Sequence, residues 1–258
     1  MKFRINRKDF FAREEEMGTM SVIVLKTNQI LHFNRAGRHV FDTCDEWVDL
    51  DAFLAGLNAV KTTPEKLRTY FEDLLYKLCV CGLAALKEMP AQTGNGYRLA
   101  QKKDFFHVSN FLLANAAAGC SCAAMLDAIY NSAYSVYTRI TGQEAAYLIN
   151  EENGKILSLM EINRGNTYAG STALNIQTVV FDQSLDRDAA DAQLKILSDF
   201  AAGILDGQCT KLRYAHMHPR QDATRDALLN CGFVCTARFS EELKNGRDLV
   251  FYDRFITP

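Results

Sequence analysis

The chain contains no apolar run approaching the ~18–20 residues needed to cross a membrane. Its first residues, Met1 to Asp9, turn charged at once and lack the apolar core of a secretion signal. These absences point to a cytoplasmic protein whose eight cysteines are reduced. A surplus of positive charge is missing as well, since the net charge is -2 at neutral pH. That argues against the broad basic surface with which proteins hold nucleic acid or anionic lipid. No segment repeats and none is of low complexity, so no repeat architecture is expected. The cysteines also lack a CxxC knuckle. Their close pairs, Cys79/Cys81, Cys120/Cys122 and Cys231/Cys235, sit in apolar, alanine-rich surroundings and read as buried packing residues, with no metal expected.

What is present is a globular composition: 48% hydrophobic and 23% charged residues over 258 positions, enough for one large domain or two modest ones. The segment Met89–Gly96, with a proline, two glycines and small polar residues, separates two strongly patterned parts and predicts domains over 1–90 and 97–258. In the first part, Met20–Leu25 and Ile30–Phe33 read as short strands about a turn. Asn34 caps a helix through Phe41, and Leu50, Phe53, Leu54 and Leu57 share a helical face. Thr63-Pro64 opens a longer helix carrying Leu67, Tyr70, Phe71, Leu74, Leu75 and Leu78, which Gly82 ends before an apolar tail to Leu86.

The second part predicts a strand at Tyr97–Ala100, a helix from Asp104 through Leu113, and a second helix over roughly Ala123–Val136. Two strands follow, Ala145–Ile149 and Ile156–Met160, about the turn Asn150–Gly154. A strand at Leu174–Phe181 leads into a helix from Asp188 to Ala202. The remainder reads as a strand at Lys211–Ala215, a helix at Ala223–Asn230, and two closing strands, Phe233–Arg238 and Arg247–Arg254.

That order resembles the GNAT acyltransferase fold. The local stretches that carry the resemblance are Tyr97–Ala100 with Asp104, Asn153–Ile156, and Leu228–Phe233, where a Gly-Phe pair follows a helix. The first 90 residues resemble the PqqD-like family, the RiPP recognition element, through Ile30–Gly37, Phe41–Asp45 and the closing Cys81–Leu83. The two resemblances imply an α+β chain: a small winged-helix-like PqqD-type module, then a GNAT mixed sheet flanked by helices. The PqqD-like family binds leader peptides by adding a strand to a sheet edge, here Ile30–Phe33, beside a helix bearing Tyr70, Leu74 and Lys77. A winged helix that bound DNA would carry a basic excess on its long helix, and Glu65–Lys77 is of mixed charge.

The GNAT resemblance implies acetyl-CoA or another acyl-CoA as co-substrate. The strand end Val179, Val180 and Phe181 would pair with the pantetheine amides, and a helix start would hold the pyrophosphate. The family's phosphate loop, (Arg or Gln)-x-x-Gly-x-(Gly or Ala), corresponds here to Arg187, Ala190 and Ala192, with alanine in place of the first glycine. Asp182, Asp186, Asp188 and Asp191 place negative charge beside a site meant for a dianion. The position where many members carry an acid tyrosine is Leu228, and Gln221 stands where asparagine is common. Glu161, Tyr214 and His216 are the remaining candidates for proton transfer, with His218 beside them. Two functions therefore stand: an N-acyltransferase acting on an amine, with a peptide or protein recruited by the first module, or an inactive GNAT-fold binding protein.

Overall fold

A computed structural model describes residues 1–25, 28–57, 62–87, 95–117, 121–123, 128–164, 173–204, 209–216, 222–243 and 246–256. The chain divides into two compact units, Met1–Ala91 and Gln92–Pro258. Most of the proline- and glycine-bearing segment expected to link them lies outside the described residues.

In the first unit, β1 (Lys2–Ile5) pairs antiparallel with β5 (Val48–Asp49) and with β6 (Ala84–Lys87). The start that reads as merely charged is thus a strand. Its alternation of Lys2 and Arg4 with Phe3 and Ile5 buries the apolar pair on one face. β2 (Phe10–Glu14), likewise unanticipated, pairs with β3 (Met20–Val24), which pairs with β4 (Gln29–Phe33). One face of this sheet puts Phe10, Met20, Val22 and Val24 into the core. The other face carries a cross-strand row, Phe11, Ile23 and Ile30, exposed by 68%, 41% and 58%.

The expected helices follow. α1 (Arg35–Thr43) is capped by Asn34, whose Oδ1 accepts from the Gly37 backbone N–H at 2.9 Å. Gly37 has a steric reason to be glycine: a Cβ there would meet the Phe33 side chain at 3.2 Å. α2 (Leu50–Ala55) buries Leu50 and Phe53. α3 (Pro64–Val80) begins on the Thr63 cap and buries Phe71, Leu75 and Leu78. Tyr70 Oη donates to Asn34 Oδ1 at 3.0 Å, tying α3 to the cap of α1. The sole tryptophan, Trp47, lies half-exposed with Lys87 Nζ 4.2 Å above its ring.

The second unit holds one mixed sheet. Its strands are β7 (Gly96–Leu99), β8 (Cys122–Ala123), β9 (Ala145–Glu152), β10 (Lys155–Arg164), β11 (Ala173–Phe181), β12 (Lys211–His216), β13 (Val234–Phe239) and β14 (Leu249–Phe255). The spatial order is β13-β14-β12-β11-β10-β9-β7, with β8 set against β11. β9 and β10 meet at Asn153-Gly154, both with positive φ (51° and 77°), the conformation a two-residue hairpin requires. β11 and β12 run parallel and are joined by α6 (Arg187–Ile204). α6 and α7 (Asp222–Asn230) supply Leu194, Leu197, Ala201, Ala227 and Leu228 to a core that includes Met160, Ile176, Val179, Phe181 and Tyr214.

α4 (Phe105–Asn115) and α5 (Ala133–Thr141) pack against each other, with the Phe105 and Tyr137 rings 5.3 Å apart. The helix expected from Ala123 begins ten residues later. Ser132 caps it by accepting from Ser135 N–H at 3.3 Å, while Cys122 and Ala123 are spent on pairing with β11. Among the described residues no helix is long and apolar enough to cross a membrane.

Candidate functional site

The site is built where β11 and β12 part. They pair from Ala173/Lys211 to Ile176/Tyr214 and no further. β12 continues to His216 in register with β14, whereas β11 runs on through Gln177 to Phe181 against β10. A register shift at Glu161/Ile162 leaves Gln177 without a partner on β10, a bulge that bends β11 where the two parallel strands diverge.

β10 occupies one edge of β11 at Thr178 and Val179. Those two residues also pair antiparallel with β8, Thr178 with Ala123 and Val179 with Cys122. A strand has only two edges, so β8 lies on the edge that faces β12, inside the divergence. Ser121 extends the contact: its hydroxyl accepts from Phe181 N–H at 2.9 Å and donates to Phe181 C=O at 3.3 Å. The edge over Thr178, Val179 and Phe181 is thus taken by the chain itself. The expected pantetheine-pairing residues, Val179, Val180 and Phe181, are all buried, with Val179 and Phe181 in the core under α6.

The start of α6 is occupied too. Asp186 Oδ1 accepts from Ala189 N–H at 2.9 Å, and Asp186 C=O accepts from Ala190 N–H at 3.0 Å. Arg187 forms an ion pair with Asp191 one turn on, at 2.9 Å. Asp182 accepts from Ser184 and pairs with Lys155 Nζ at 2.9 Å; the Ser184 bonds and this pairing hold its carboxyl below its usual range. Ala190 is fully buried in the core with Leu194 and Leu197, so its methyl faces inward. The group that fills the start of α6 is therefore the capping carboxylate of Asp186. Ala192 is exposed.

Glu161 is fully buried, in register between Tyr147 of β9 and Thr178 of β11. Its Oε1 accepts from Tyr130 Oη at 2.8 Å and from Arg139 Nη1 of α5 at 3.0 Å. Arg139 is fixed in turn by Tyr130 C=O at 2.8 Å and lies over the Tyr130 ring at 3.7 Å. Burial pushes the Glu161 carboxyl up, against the opposing pull of Arg139 and the Tyr130 hydroxyl. The same desolvation, with the carboxylate beside it, raises Tyr130 to about 12. Among the described residues, Glu161 Oε2, Tyr147 Oη and Thr178 Oγ1 make no hydrogen bond. The ion pair alone accounts for a carboxylate on β10.

Tyr214 is buried in the core, in register with Ile176 and Tyr252. His216 ends β12 opposite Val250; His218 and Gln221 lie outside the described residues. Leu228 is fully buried on the core-facing side of α7, an apolar packing role where a tyrosine acid would need access to the cleft. The structure therefore brings Glu161, Thr178 and Val179 to one stretch of sheet and leaves Arg187 and Ala192 at the helix start beyond Phe181. Ser121, Tyr130 and Arg139 were missed by sequence reasoning. None belongs to a spacing that announces a role, and all three act through long-range contacts. Among the described residues no three His, Cys, Asp or Glu side chains converge as metal ligands.

No family model matches the sequence, and no curated protein matches it. Solved structures do match the fold. A GNAT-family protein from Desulfovibrio desulfuricans superposes with a TM-score of 0.50 at 10% identity, covering 62% of this chain and 98% of its own. An aminoglycoside 6'-acetyltransferase type Ii gives 0.48 at 9% identity over 63% of this chain and 97% of its own. A Salmonella typhimurium protein solved with acetyl-CoA gives 0.46 at 18% identity, over 63% and 95%. The mixed sheet flanked by helices is the GNAT fold.

Proposed function

We propose that the second unit is an acyl-CoA-dependent N-acyltransferase, with acetyl-CoA the first donor to consider, acting on an amine. The observation that carries this reading is the divergence of β11 from β12 beyond Ile176/Tyr214, which frees an edge of β11 from β12 inside a GNAT fold. The backbone of Thr178–Phe181 would receive the pantetheine amides as a neighbouring strand does. Arg187 and the start of α6 would receive the pyrophosphate. In the conformation described, both places are filled by the chain's own groups, β8 and the Asp186 carboxylate. An acyl-CoA donor does not fit this conformation.

Calorimetry with acetyl-CoA and CoA tests the reading. Wild type is expected to bind both, and Arg187→Glu to weaken binding at least tenfold by reversing charge at the pyrophosphate. No binding of either nucleotide at millimolar concentration would sink the enzyme reading. A second reading, an inactive GNAT-fold binding protein, is favoured by the acidic cap of α6 and by Leu228 in the core. Binding without acyl transfer to any amine would select it.

The first unit is proposed to recruit the acceptor, a peptide or protein segment, by strand addition along β4. Support comes from the position of β4 at the edge of its sheet and from the apolar row Phe11, Ile23 and Ile30 that runs out to it.

A further inference from the structure

The two residues of β8 sit where the proposed donor must lie, and three described contacts hold this part of the chain. Ala123 and Cys122 pair with Thr178 and Val179, Ser121 clasps both backbone groups of Phe181, and Tyr130 donates to Glu161. A backbone edge left bare in a cleft has unpaired N–H and C=O groups, which a short strand satisfies at low cost in chain length. Two ladder positions and one hydroxyl are also a weak hold, because each hydrogen bond contributes little net stability.

We infer that Ser121–Ala123 is a built-in competitor of acyl-CoA: it occupies the β11 edge in the resting protein and must leave before a pantetheine can pair there. The inference rests on the acyl-CoA reading of the same cleft. The pantetheine and β8 offer the same kind of group to the same edge, so the two states exclude each other. Apparent donor affinity is the intrinsic affinity multiplied by the fraction of molecules with the edge open. Anything that weakens the clasp therefore tightens donor binding.

The test uses the full chain, acetyl-CoA as the probe, and two variants. Ser121→Ala removes the clasp on Phe181, and Ala123→Pro disfavours the strand itself. Affinity is read by calorimetry, and hydrogen exchange is followed at the backbone amides. Both variants are expected to bind acetyl-CoA roughly five- to tenfold more tightly than wild type, a factor matching one hydrogen bond. In wild type, the nucleotide is expected to speed exchange at Cys122 and Ala123 while protecting Thr178–Phe181. Equal affinities in all three proteins, with Thr178–Phe181 protected and β8 unchanged, leave the donor site standing and overturn the competitor. No binding to any of the three, with exchange unaffected, overturns the acyl-CoA reading and the competitor with it. Ser121→Ala deletes a single hydroxyl, and the wild-type exchange experiment needs no variant, so misfolding of Ala123→Pro does not rescue the inference.

Discussion

At the scale of the residue, the Glu161–Arg139 pair shows how burial decides the role of a carboxylate. Sequence alone shows a lone acid on a strand; only the fold supplies an arginine from α5 and a tyrosine from the preceding loop. Removing one partner of a buried pair leaves the other charge uncompensated, so Arg139→Leu is expected to destabilise by about 3–5 kcal/mol at neutral pH. The pH dependence has a defined sign. Burial raises the folded carboxyl above its unfolded value, so the native state holds the proton more tightly. Stability from this group is fully present below the unfolded pKa and falls as pH rises through the folded one. Without Arg139 the upward shift grows, and the loss in the variant shrinks on acidification towards pH 5. Urea denaturation of both proteins at the two pH values checks this; a penalty independent of pH would refute the role of the buried charge. Asp253 is the opposite case. Burial pushes its carboxyl up, yet Arg213 at 2.7 Å and Lys211 at 2.9 Å outweigh it and hold it at about 2.

At the scale of the element, caps and turns decide where regular structure begins. Asn34 serves two elements at once, capping α1 and accepting from Tyr70 of α3. Asn34→Ala is expected to lower stability by about 1–2 kcal/mol in thermal or urea denaturation, and Tyr70→Phe by less than that. An Asn34→Ala penalty no larger than that of Tyr70→Phe would show that the cap contributes nothing. The elements legible in the sequence are those with local signals: the Asn34 and Thr63-Pro64 caps and the Asn153-Gly154 hairpin. Illegible were the elements defined by partners far away in the chain. β1 needs β5 and β6 to be a strand at all, and β8 is two residues long and exists through β11. The helix expected from Ala123 failed for this reason, because apolar small residues suit both states and the tertiary pairing chose. The cleft followed the same division. The helix start at Arg187 was readable, whereas the occupant of the β11 edge was not.

At the scale of the whole molecule, two units with separate cores suggest separable duties. If the first unit gathers the acceptor along β4, a change on the exposed row should affect only acceptors long enough to reach it. Ile30→Asp in the full chain is expected to raise KM for peptide acceptors severalfold while leaving kcat/KM for a small amine unchanged. Equal effects on both acceptors, or on neither, would separate β4 from substrate capture.

The lone indole at position 47 has an optical consequence. Because the chain has a single tryptophan and it lies in the first unit, emission excited at the red edge of the protein band reports on that unit alone. Far-ultraviolet dichroism sums the helices of both. Recording the two signals along one denaturant series resolves which half of the chain loosens first, with no label attached and no residue replaced.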